Sequence, residues 1–130
     1  MSQLEIWQTI NQAVHDALVD GAYRLSERDL LNRADELLER MPTAGGTRLT
    51  GALLLRRYHR PLQKELCRGG VPIPLPDVIE DEVRELTRVV LVAADVGEGF
   101  SVDVAVLLAL AIRAGGIERY CSEPVSTFTV

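Results

Sequence analysis

Proline occupies every second position of the segment Val71-Pro-Ile-Pro-Leu-Pro76. A proline ring fixes the backbone angle φ and removes an N–H donor, so neither a helix interior nor a central strand accepts this spacing. We therefore predict a stiff, extended connector at 71–76, too short to be a flexible linker between separate domains. Regular structure is expected on either side of it, in 1–70 and 77–116.

Apolar residues recur at helical spacing on both sides of this connector. Ser26 followed by Asp29 is typical of a helix N-cap, and Thr47 is a candidate N-cap for the helix after the turn at Pro42. The pattern predicts an all-α fold, in which 1–130 form one compact bundle of five to six helices and 117–130 form a C-terminal tail. We expect helices near 3–20, 27–41, 47–59, 61–68, 78–96 and 102–114.

Pro61 interrupts the helical pattern of the third of these segments. In a helix interior its ring costs about 3 kcal/mol, whereas the first position of a helix accepts it. We therefore predict a break near His59 and Arg60, with a short helix that begins at Pro61.

Two consecutive segments, 86–96 and 102–112, are apolar almost all round. A small monomer can surround only one helix on every side, so the pair indicates that another chain covers part of it. We expect a homo-oligomer or a protein partner, with interface residues Leu91, Leu107 and Leu110. A β-strand at 88–94 is the alternative, which is less favoured because a single strand would lack a partner in a helical chain.

Charge is unevenly distributed along the chain, whose net charge is −5. Residues 47–70 carry six basic side chains against Glu65 alone, and most of them fall on one side of an ideal helix. Such a face can bind phosphate or an acidic partner. It can also remain solvated, or pair with the acidic helices of its own fold. A solvated or internally paired face is favoured. The predicted binding residues are Arg48, Arg56, Arg57, Arg60, Lys64 and Arg68.

Residue types that carry catalysis or bind metals are few. His15 and His59 belong to no helical metal-ligand spacing, and Cys67 and Cys121 lie in no Cys-x-x-Cys motif. Two cysteines permit at most one disulfide, and two buried thiols are the simpler interpretation. The sequence thus gives no support for enzymatic activity, and neither a metal nor a cofactor is expected.

These observations lead to three hypotheses, of which a small enzyme ranks last because only scattered residues support it. The favoured one is a non-enzymatic protein–protein interaction or adaptor subunit that associates through its apolar C-terminal helices. The alternative is a nucleic-acid-binding module that uses 47–68, which the overall acidity disfavours. The longest apolar run, Val104 to Ile112, has nine residues, and no secretory signal is visible. We therefore expect a soluble, cytoplasmic protein without a membrane partner.

Overall fold

A computed structural model describes residues 3–40, 50–94 and 101–122 of the chain. These ranges contain seven α-helices, one turn of 3₁₀ helix and one short hairpin, which confirms the predicted all-α fold. The helices are α1 (Gln3–Val19), α2 (Glu27–Glu39), α3 (Gly51–Arg57), α4 (His59–Leu66), α5 (Ile79–Ala94), α6 (Val102–Gly115) and α7 (Ile117–Ser122). The 3₁₀ turn is Ala22–Arg24, and the hairpin strands are β1 (Cys67–Arg68) and β2 (Val71–Pro72).

Hydroxyl caps fix where three helices begin. The Ser26 Oγ accepts a hydrogen bond from the Asp29 N–H at 3.1 Å, and Ser101 caps α6 in the same way. The N-cap of α3 is Thr50, whose Oγ1 accepts from the Leu53 N–H at 3.1 Å. The prediction that Thr47 caps this helix is therefore wrong, and α3 begins at Gly51.

The helical path breaks at Tyr58, which ends α3 and precedes α4. Pro61 is the third residue of α4, within the first turn, where no intrahelical bond needs its missing N–H. The break thus exists as predicted, one residue before His59, and the second helix starts earlier than Pro61.

The proline-rich connector begins as a hairpin strand. Gly69 and Gly70 adopt φ of +60° and +80°, the two positive angles that a tight two-residue hairpin turn requires. Cys67 pairs with Pro72 and Arg68 with Val71 in antiparallel register. This two-residue pairing was not predicted, whereas residues 73–76 contain neither helix nor strand, in line with an extended connector.

Helix α6 lies at the centre of the core, where it contacts α1, α2, α5 and α7. Its residues Val104–Val106 and Leu108–Ile112 are all buried. The segment 88–94 belongs to α5, so the helical interpretation is confirmed and the strand alternative is wrong. Within the described parts of the chain, no helix combines the length and the apolarity that crossing a bilayer requires.

Helix α7 lies within the predicted tail, and a disulfide between Cys67 and Cys121 joins it to β1. The interpretation of these cysteines as two free thiols is wrong. Gln63 also donates from Nε2 to the Tyr120 carbonyl at 3.0 Å, and the rings of His59 and Tyr120 lie 4.5 Å apart. These contacts hold α7 against α4, and residues 123–130 of the predicted tail lie outside the described ranges.

Candidate functional site

The three predicted interface residues occupy different environments. Leu91 and Leu110 belong to the core of this chain, with 6% and 1% of their surface exposed. The helices of one molecule therefore account for the apolar character of α6 without a second chain. Leu107 is half-buried and faces a groove, so it is the one of the three that retains accessible surface.

This groove lies between α1, the 3₁₀ turn, α2 and α6 and encloses about 550 Å³. Its floor is apolar because the small side chains Ala13 and Ala17 of α1 line it together with apolar side chains of α2 and α6. Concave apolar surface of this kind is where a ligand or a partner side chain gains most from leaving water. The apolar lining residues are Ala13, Ala17, Ala22, Leu37, Val106 and Leu107.

The rim of the groove carries four carboxylates, Asp16, Asp20, Glu36 and Asp103, against the guanidinium of Arg33 alone. Arg33 Nη1 lies 2.6 Å from Asp20 Oδ2, so this pair is already neutralised. Neither Glu36 nor Asp103 forms an ion pair with any residue in the described ranges. Carboxylates around a concave apolar surface focus a negative potential that attracts cations. We call this site the acidic groove.

The acidic groove continues along α1 into a second concavity of about 520 Å³. Ala13, Asp16 and Asp103 line both concavities. The extension is more polar than the acidic groove, since Gln8 and Gln12 contribute amides to it. It therefore offers more hydrogen-bonding groups to a ligand than the groove does.

The second charged feature is the set of exposed cations on the consecutive elements α3, α4 and β1, which we call the basic face. None of them forms an ion pair with another residue of the described ranges. Of the two favoured expectations for this block, pairing with the acidic helices is not found in these ranges, whereas a solvated face agrees with the exposure of the side chains. The basic face comprises Arg56, Arg57, Arg60, Lys64 and Arg68, while Arg48 lies outside the described residues.

Other arginines neutralise the acidic first turns of α5. Arg84 Nη1 lies 2.8 Å from Asp81 Oδ1, and Arg84 Nη2 lies 3.6 Å from Glu80 Oε1. Arg113 of α6 forms an ion pair with Glu82. Arg88 donates from Nε and Nη2 to the carboxylate of Glu85, which raises the pKa of Arg88, and the charge of Glu65 on α4 raises it further. The charge of Glu65, the one acid of residues 47–70, therefore stabilises the protonated form of Arg88 on α5.

The residue types that could carry catalysis are kept apart. His15 is exposed on α1, whereas His59 is buried against Tyr120 and the cysteines are joined to each other. Across the ranges 3–40, 50–94 and 101–122, no three His, Cys, Asp or Glu side chains are placed to hold a metal ion.

No family model, curated protein or solved structure matches this chain. The candidate sites therefore rest on geometry and charge. Sequence reasoning singled out the residues of the basic face, because they are close together in the chain, and the structure shows that they are exposed. It missed the acidic groove, for which the spacing of Ala13 with Ala17 and of Asp16 with Asp20 was the available local signal.

Proposed function

We propose that this chain is a non-enzymatic protein–protein interaction subunit that docks a cationic, amphipathic segment of its partner in the acidic groove. The observation that supports the proposal is the combination in one concave site of an apolar floor, which includes Leu107, with a rim of four carboxylates against one guanidinium. A helix with apolar residues on one side and basic residues on its flanks fits such a site.

The two parts of the site have different energetic roles. Burial of one leucine-sized side chain on the floor contributes about 1.5–3 kcal/mol, so the floor supplies most of the affinity. Each exposed ion pair at the rim contributes about 1 kcal/mol or less, and the rim mainly speeds association and selects cationic partners. A bare cation would leave the floor in water, which favours a polypeptide as the ligand.

A synthetic helical peptide with arginines on one face and leucines on the other is a direct probe of this proposal. In an NMR titration of the labelled full chain, we expect the shifts to centre on Ala13, Ala17 and Leu107. The groove variant Glu36→Gln/Asp103→Asn should bind the peptide about tenfold more weakly, since two unpaired rim charges are lost.

The matched control is Asp77→Asn/Glu118→Gln, which removes the same charge from exposed acids outside the acidic groove. It should keep the affinity of the unaltered chain within about twofold. Equal weakening by both double variants, or shifts spread over the whole surface, would mean that the peptide responds only to net charge and would contradict the proposal.

Nucleic-acid binding is the second candidate function, and the basic face is the observation that favours it. Five exposed cations without an acidic partner in the described ranges can track a phosphate backbone. The net charge of −5 acts against long-range attraction to DNA, and phosphate binding gives the acidic groove no role. We therefore place this function second.

The disulfide bears on the compartment in which the chain acts. Disulfides persist in oxidising compartments and are rare in the cytosol, where thiols are kept reduced. We therefore propose an oxidising compartment for the state joined through Cys67 and Cys121, in place of the cytoplasm expected from the sequence. Alkylation of free thiols in unfractionated cells, followed by mass spectrometry, tests this: alkylated cysteines in most molecules would contradict it.

A further inference from the structure

The basic face and the acidic groove have opposite charge and lie on different elements of one chain. The groove is built from α1, the 3₁₀ turn, α2 and α6, and none of α3, α4 and β1 contributes a residue to it. We propose that the cationic segment docked in the acidic groove is the basic face of a second copy of this chain. The inference rests on the proposed function and names the partner for that site.

Charge complementarity is the first argument for a second copy. Five cations of the basic face lack an acidic partner in the described residues, and Glu36 and Asp103 of the acidic groove lack a basic one there. Two molecules placed head to tail bring these groups together, whereas one molecule does not. Opposite patches of this kind steer encounter and fix orientation.

The exposed side of α4 also matches the mixed character of the groove. Arg60 and Lys64 are one turn apart on this side, while Leu62 and Leu66 are buried below them. Arginine and lysine carry long aliphatic stems that cover apolar surface while their charged ends remain at the rim. Together with the half-buried Pro61, these stems can cover the apolar floor as their charged ends meet the carboxylates.

Such contact joins two different surfaces, so the association is heterologous. Copies related in this way form a closed ring if the rotation between them closes, and an open chain if it does not. The charged part of the contact is exposed, and salt screens it over a Debye length of about 8 Å at physiological ionic strength. We therefore expect self-association that increases with concentration and decreases with added salt.

Light scattering and sedimentation of the full chain, at low and at 1 M salt, test the inference with two neutralised variants. One variant, called the face variant, keeps the groove intact, and the groove variant keeps the basic face intact. Every altered side chain is exposed, so we expect both variants to fold. Each variant alone should self-associate at least about tenfold more weakly than the unaltered chain. The face variant is Arg56→Gln/Arg60→Gln/Lys64→Gln, and the groove variant is Glu36→Gln/Asp103→Asn.

An equimolar mixture of the two variants is the decisive measurement. The intact groove of one and the intact basic face of the other should form a discrete dimer of twice the mass of one chain. A third copy should add at least about tenfold more weakly, because the remaining groove and the remaining face each lack most of the charges that make the contact. The control Asp77→Asn/Glu118→Gln should associate as the unaltered chain does. Circular dichroism of each variant verifies that the helices are retained.

Three outcomes would overturn the inference. The first is an unaltered chain that keeps the mass of one chain at millimolar concentration and low salt, and the second is a mixture of the two variants that does not dimerise. The third outcome is duplex DNA bound by the basic face of a chain that remains monomeric. If the Arg/Leu peptide still binds the acidic groove of a monomeric chain, the proposed function stands and only the second copy is rejected. If the peptide does not bind either, both are rejected.

Discussion

Cys67 and Cys121 are joined by a disulfide although 54 positions separate them in the chain, and their Cα atoms lie 5.7 Å apart. Cys67 begins β1, immediately after α4, and Cys121 lies in the short helix α7. A six-residue helix is too short to be stable by itself in water. The bond therefore holds a segment whose local sequence provides little stability, and it does so beside the contact between His59 and Tyr120.

Removal of this disulfide should lower the free energy of unfolding. Closing a loop of this length restricts the unfolded chain by about 4 kcal/mol on the chain-entropy model, and measured losses for native disulfides are about 2–5 kcal/mol. We expect Cys67→Ala/Cys121→Ala to lose about 2–4 kcal/mol in urea unfolding followed by circular dichroism. Wild-type protein in reductant should lose a similar amount, and reductant should not affect the double variant. An unchanged midpoint would contradict the structural role of the bond.

Gly51 is predicted to resist enlargement. A Cβ at this position would lie 3.1 Å from Leu31 Cδ2 and 3.4 Å from Ala34 Cβ, because α3 begins directly against α2. The Gly51 N–H also donates to Asp35 Oδ1 at 2.7 Å, which prevents α3 from moving away. We expect Gly51→Val to destabilise the fold by about 1–3 kcal/mol. Ala52→Val, at the adjacent exposed position, should cost less than about 0.7 kcal/mol in the same unfolding measurement.

Signals that are local in sequence predicted most of the helices. The capping hydroxyls of Ser26 and Ser101 accept hydrogen bonds from N–H groups only three residues further along the chain. The helix starts that they fix can therefore be predicted from the local sequence. The start of α3 could not be read in this way, because Thr47 and Thr50 are both suitable caps. The packing of Gly51 against α2 agrees with Thr50 as the cap, and this contact is tertiary.

Features that depend on distant segments were not predictable. The partner of Cys67 is set by the path of the chain over 54 positions, and no local pattern encodes it. The acidic groove needs four separate elements, so its rim cannot be recognised from any one of them. The residues of the basic face could be named from the sequence. That they have no acidic partner in the described residues could be learned only from the fold.

Leu107 and Leu110 should respond differently to truncation, although both belong to α6. Leu110 is enclosed by the core, and its replacement by alanine should cost about 2–5 kcal/mol through lost burial and a cavity. Leu107 is half-buried on the groove floor, so Leu107→Ala should cost less stability and weaken peptide binding several-fold. Thermal melts and the peptide titration, run on both variants, separate the two effects. Equal loss of stability without any change in binding would exclude Leu107 from the docking site.

The exposed arginines of α3 and α4 provide a test in which stability and binding separate. Because these side chains have no ion-pair partner in the described ranges, we expect Arg56→Ala/Arg57→Ala/Arg60→Ala to change the free energy of unfolding by less than about 0.5 kcal/mol per site.

The same variant distinguishes binding of a second copy from binding of nucleic acid, when unfolding curves are measured together with self-association and with duplex DNA binding at two salt concentrations. If the basic face serves a second copy, the triple variant should self-associate at least about tenfold more weakly, and DNA binding by the unaltered chain should stay weak at physiological salt. If it serves nucleic acid, each lost phosphate contact should reduce the slope of log affinity against log salt by about 0.9. A large loss of stability would instead mean that these arginines pair within the fold, as the sequence had led us to expect.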